Sequence, residues 1–200
     1  MGLVDRVKNI LLKPKEEWQT IEPEQTDVKT LYTSYIMLLA AIPAVVGIIS
    51  TAMFAGMLGR FGASISIGFI AVASIIGYVL NLIMVFVVAH IAEALAPSFD
   101  GEKNFIQSFK LVAYSMTASW VGGVFGIIPL LGALLSLLAA LYGAYIFYLG
   151  ATTMKKVPEA KAIGYTIVVI IAAIIVAFII GMVTAGIGAM GAVGSMAGFR

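Results

Sequence analysis

A chain of 200 residues that is 62% hydrophobic and 11% charged lies outside the composition of a soluble globular domain. Its net charge of +2 is too small to point to nucleic acid, and the lack of cysteine excludes disulfides and thiolate metal sites. The charged residues leave four long stretches without any, at 30–59, 61–92, 111–154 and 162–199, which is the pattern of a polytopic membrane protein.

A hydrocarbon core about 30 Å thick takes about 20 apolar residues per helix. Three stretches therefore hold one span each and 111–154 holds two, turning at Gly126-Ile127-Ile128-Pro129-Leu130-Leu131-Gly132. The runs are continuous rather than alternating, which argues against a β-barrel. The expected fold is all-α: five transmembrane helices behind a short amphipathic cytoplasmic helix.

In chain order, residues 1–30 form a cytoplasmic prelude, 31–190 the five-helix domain and 191–200 a glycine-rich outer tail. Leu3, Val4, Val7, Ile10 and Leu11 recur at helical spacing while Asp5, Arg6, Lys8 and Asn9 take the other side, predicting an amphipathic helix that ends before Pro14 and suits the membrane interface. A second short helix starts at Pro14 and leads to Trp18, whose indole suits the headgroup level. The first span runs from about Leu31 to Met57 with Pro43 inside it, and the second from about Ser64 to Ala92. The third and fourth run from about Phe105 to Ile128 and from Leu130 to Thr153. The fifth runs from about Ile163 toward Gly188, beyond which Gly191, Gly194 and Gly198 predict fraying.

Five crossings place ten of the twelve basic residues on one face and two on the other, so the amino terminus is expected in the cytoplasm and the carboxyl terminus outside. All ten carboxylates lie on, or at the membrane edge of, the richly charged face. Lys155, Lys156 and Lys161 would attract anionic headgroups there and, with Trp18, are the candidate interface anchors.

The candidates for a polar interior or a substrate path are Asn81, His90, Glu93, Thr117 and Ser119, because ionisable and amide groups inside a membrane must look inward. His90 and Glu93 form an H-x-x-E pair on one helix face, too small for a confident metal site, so no metal or cofactor is expected. Ser74, Tyr78 and Asn81 follow one side of the second span, where such groups commonly hold helices together. Tyr142, Tyr145 and Tyr148 read as an interfacial belt. Gly122 with Gly126, Ala140 with Ala144 and Gly181 with Ala185 allow close helix approach, within the bundle or in a dimer. No nucleophile elbow, phosphate loop or zinc-helix motif occurs, so an enzyme is not expected.

Several segments in order carry a resemblance. The run Lys8-Asn9-Ile10-Leu11-Leu12-Lys13-Pro14-Lys15-Glu16-Glu17-Trp18 resembles the N-I-L-x-x-P-x-x-E-W opening of bacterial membrane proteins of the Yip-one domain family. Lys110-Leu111-Val112-Ala113-Tyr114-Ser115, Ile128-Pro129, Leu141-Tyr142-Gly143, Tyr148-Leu149-Gly150, Met154-Lys155-Lys156-Val157-Pro158-Glu159 and Ala162-Ile163-Gly164-Tyr165-Thr166 are similar to later family segments. Where the family usually has Thr-Pro-Ala-Trp, this chain reads Thr117-Ala118-Ser119-Trp120 and lacks the proline that would kink the third span.

The resemblance implies five spans, a cytoplasmic amino terminus and a bacterial inner membrane location. Its eukaryotic members associate with Rab-type GTPases, a property that does not carry over to bacterial relatives. Two functions follow as expectations. One is a non-catalytic scaffold or adaptor that binds a cytoplasmic protein partner or organises membrane lipids at the cytoplasmic face. The alternative is a transporter, channel or lipid translocator working as a homo-oligomer.

Overall fold

The structure, a computed structural model, describes residues 1–59, 67–128 and 130–197. Arg60, Ser64, Pro129, Gly198 and Arg200, on which parts of the sequence reading rest, lie outside them. Nine α-helices make up the described chain, in the order α1 Leu3–Leu12, α2 Pro14–Ile21, α3 Val28–Leu31, α4 Met37–Gly59, α5 Ile67–Leu95, α6 Phe105–Ser115, α7 Thr117–Gly122, α8 Leu131–Met154 and α9 Glu159–Ala197. A π-helical turn, Tyr32–Ile36, joins α3 to α4, and short 3-10 turns occupy Ala96–Phe99 and Gly123–Ile127.

Local chemistry sets these boundaries. Proline follows α1 and opens α2, where its missing N–H is not needed. Asp27 caps α3 by accepting from the Thr30 N–H at 2.7 Å, and Asn104 caps α6 by accepting from the Gln107 N–H at 3.2 Å. Helix α4 runs through Pro43, and a Cβ on Gly123 would come within 2.8 Å of the Pro43 Cβ, so the Gly123–Ile127 turn packs directly against the proline.

Among the described residues four helices, not five, are long and apolar enough to cross a membrane: Val28–Met57, Ile70–Phe99, Leu131–Met154 and Glu159–Gly186. The third predicted span is interrupted. Phe105–Ile127 breaks at Met116 and tightens into a 3-10 turn where Gly122, Gly123 and Gly126 weaken the helix. It bends in this way without the family's proline.

The interrupted segment is also the centre of the molecule. Every residue of α6 from Ser108 to Ser115 is buried, on all faces of the helix. Helix α6 packs against α5, α8, α3 and α7, while α5 also meets α4 and α9. By contrast, Phe54 on α4, Ile75 on α5, Leu141 on α8 and Phe178 on α9 are exposed, as lipid-facing surfaces require.

Helix α9 corrects the predicted carboxyl end. It continues through Gly191 and Gly194 to Ala197, so no frayed tail begins at residue 191. At 1.5 Å per residue its 39 residues extend about 58 Å, well beyond a hydrocarbon core of about 30 Å.

Of the small-residue pairs, that on α7 and the following turn works inside the bundle. A Cβ on Gly122 would lie 2.3 Å from the Ala139 Cβ and one on Gly126 would lie 3.4 Å from Val46, whereas one on Gly181 would meet nothing within 4 Å among the described residues.

Candidate functional site at the charged end of the bundle

The prelude does not lie loosely on the membrane. Ile10, Trp18 and Ile21 are buried in the core, and the Trp18 indole N–H donates to the Ile146 carbonyl on α8 at 3.0 Å. Trp18 is therefore not a headgroup anchor, because its only polar atom is satisfied inside the protein. Gly150 makes room for it: a Cβ there would fall 2.5 Å from the indole. The Tyr142 hydroxyl ties down the same segment by donating to the Leu11 carbonyl at 2.6 Å.

Arg6, assigned by its spacing to the polar side of α1, is turned inward. Its guanidinium donates to Glu17 at 2.5 Å, pairs with Glu24 and lies over the Tyr114 ring, 5.5 Å from the centroid. Burial opposes the Arg6 charge, but the hydrogen bond to Glu24 and the charges of Glu24 and Glu17 outweigh it, so the proton is held more firmly than usual. Beside it, the Lys110 ammonium donates to the carbonyls of Ile21 at 2.9 Å, Glu22 at 3.3 Å and Glu24 at 2.5 Å. All three of its donors go to carbonyls at the carboxyl end of α2 and in the linker just after it, where the helix dipole favours a cation. In the charge count Lys110 is only one of the basic residues of the richly charged face. The available signal was its place directly before an apolar stretch, which puts it on the helix that becomes central.

A second network lies between α5, the start of α6 and the end of α8. Glu93 Oε2 accepts from Lys155 Nζ at 2.6 Å and from the Ser108 hydroxyl at 2.7 Å, and Lys155 also donates to the Asn104 carbonyl at 3.1 Å. Lys155 is fully buried, so it reaches no headgroup; burial pulls its ammonium below the ordinary lysine range, with Glu93 opposing. The other two predicted lysine anchors are half-exposed but paired, Lys156 with Glu22 and Lys161 with Asp100 at 2.6 Å. Asp100 adopts a left-handed conformation, φ 59°, after the 3-10 turn Ala96–Phe99.

The five candidate path residues do not converge. Asn81 Oδ1 accepts from the Trp120 indole N–H at 3.3 Å, and Ser74, Tyr78 and Asn81 share one recess between α4 and α5. The Thr117 hydroxyl is 2.7 Å from that of Tyr35, while Ser119 lines a different crevice. His90 is exposed, has Nδ1 3.0 Å from the Phe86 carbonyl and packs against Phe86 and Phe105. Glu93 instead turns to Lys155 and Ser108, so the H-x-x-E spacing does not make a site. Among the described residues no three histidine or acidic side chains gather as a metal site would require.

Comparison with known proteins agrees with this architecture. The inner membrane protein YohC of Escherichia coli K12 is 22% identical over 167 residues, covering 82% of this chain and 85% of YohC. The YohC of Escherichia coli O6:H1 strain CFT073 matches to the same extent. No solved structure matches the chain. Residues 8–181 match the Yip1 domain, from within α1 to within α9. The chain is a multi-pass, all-helical membrane protein belonging to the Yip1 domain family.

Proposed function

We propose that this protein is a non-catalytic scaffold or adaptor of a bacterial inner membrane, with its charged end in the cytoplasm serving as the interaction platform. The observation that carries this reading is the locked prelude. Trp18 and Lys110 bond α2 and the linker after it to the bundle and Arg6 ties α1 to α2, which leaves Lys8, Lys15 and Gln19 exposed on a rigid support. The candidate path residues favour it as well, since Asn81, Thr117 and Glu93 are engaged in separate interhelical bonds rather than lining one conduit.

In this reading the interrupted segment Phe105–Ile127, buried by its neighbours over most of α6 and α7, crosses the membrane as a fifth span and brings the carboxyl terminus to the outer face. The basic residues then follow the positive-inside rule. The test starts with the full chain in membrane-derived nanodiscs, analysed by native mass spectrometry with and without Lys8→Glu and Lys15→Glu. A defined protein partner or homo-oligomer that the charge reversals disperse is expected. A measurable flux or lipid scrambling in vesicles, unaffected by those reversals, would overturn the proposal.

A further inference from the structure

Below the charged end, a half-open crevice of about 230 Å³ lies between α8 and α9, with α6 and α7 as its floor. Small side chains create it: Gly143, Ala140 and Ala144 on α8 face Ala173 and Ala177 on α9. Ala140 and Ala177 are exposed, so the crevice opens sideways onto the surface covered by bilayer. Protein interiors are close-packed, and an apolar gap of this size opening into lipid is filled by hydrocarbon.

Two further observations specify the occupant. Ser115 lines the crevice and is only 5% exposed, its buried hydroxyl has no hydrogen-bond partner among the described residues, and Ser119 lines the same wall. Leaving such a group unpaired is costly, and a carbonyl oxygen brought by a ligand would remove that cost. Gly143 and Ala144 share a turn of α8 with Tyr142 and Tyr145, which are 36% and 50% exposed and mark the interfacial belt. From Phe147 to Ala140 the crevice extends about 10 Å along α8, away from the charged end.

We propose that the crevice binds one acyl chain of a glycerophospholipid, with the ester carbonyl accepting from Ser115 or Ser119 and the chain seated between Ala140 and Ala177. Among the described residues no charged side chain lines it, so the headgroup stays outside. The inference is independent of whether the charged end recruits a partner.

The test uses the full chain in vesicles of phosphatidylethanolamine and phosphatidylglycerol doped with a phospholipid bearing a mid-chain diazirine, followed by peptide mapping. Label is expected on the facing segments of α8 and α9. It should be lost in Ala177→Phe and, as a second rim variant, in Ala140→Phe, each checked for native helicity. Unlabelled diester lipid should compete about two- to tenfold better than its diether analogue, the ratio one net hydrogen bond provides, and the Ser115→Ala, Ser119→Ala double variant should erase that preference. Label elsewhere, label that survives both rim variants, or equal competition by ester and ether lipids on the wild type would overturn the proposal.

Discussion

The indole N–H of Trp18 and the carbonyl oxygen of Ile146 are joined at 3.0 Å across 128 positions of chain, and this bond makes the prelude part of the bundle. Trp18→Phe should keep most of the packing and cost about 0.5–1.5 kcal/mol for the lost hydrogen bond, whereas Trp18→Ala should cost about 3–5 kcal/mol. Thermal unfolding in detergent, read with protease cleavage after residue 21, checks both. Equal losses from the two variants would show that the bond itself contributes nothing.

Lys110→Met retains the length of the side chain but leaves the carbonyls of Ile21, Glu22 and Glu24 without their shared donor. The linker between α2 and α3 should then open, with amide hydrogen exchange of residues 22–27 accelerating by at least tenfold. That corresponds to about 1.4 kcal/mol, within the range for an unmet buried group.

Breaking the Glu93–Lys155 pair from one side should be worse than removing both partners. Lys155→Met alone leaves a part-buried carboxylate with only Ser108 and should cost about 3–5 kcal/mol. Adding Glu93→Leu should recover most of this, and a double-mutant cycle of melting curves measures the coupling. Because Lys155 is depressed in the folded state, the unfolded chain binds more protons between that lowered value and the ordinary lysine value of about 10.4. Stability should therefore rise with pH through that window relative to Lys155→Met, and a fall there would contradict the assigned burial effect.

His90→Ala should be close to neutral, within about 0.5 kcal/mol, because the ring is exposed and does not hold Glu93. A loss as large as that of Lys155→Met would show that His90 and Glu93 act together after all.

Gly122→Ala should strain the contact with Ala139, whose Cβ would lie only 2.3 Å away. Exchanging the pair, Gly122→Ala with Ala139→Gly, should restore stability to within about 1 kcal/mol of the wild type, since the total volume is conserved. Failure of the exchange to rescue would mean that Gly122 is needed for the backbone of the 3-10 turn rather than for space.

The local patterns were legible in the sequence because each is local physics. Charge-free stretches of membrane length located α4, α5, α8 and α9, Pro14 marked the α1–α2 boundary, and the ordered motifs identified the family. The residues of the charged end were visible only as charges. Arg6 and Lys8 look alike on a helical pattern, yet one is buried over Tyr114 and the other exposed, since which side of an amphipathic helix meets a polar core depends on what that core contains. Lys155, Lys156 and Lys161 looked equally free in sequence, and only the return beside them of α5, the end of α2 and the Asp100 turn supplied partners.

By composition and charge spacing alone, the chain was bound to be a helical, multi-pass membrane protein with its charges gathered at one end, because hydrocarbon tolerates neither unpaired backbone nor free charge. Tertiary structure decided what those charges do and which segment becomes the centre. Helix α6 is buried on every face from Ser108 to Ser115 because its neighbours surround it, and Ser115, whose buried hydroxyl has no partner among the described residues, lines a crevice that α8 and α9 leave by meeting through small side chains. Burial and pairing are relations between distant segments, and no periodicity within one segment encodes them.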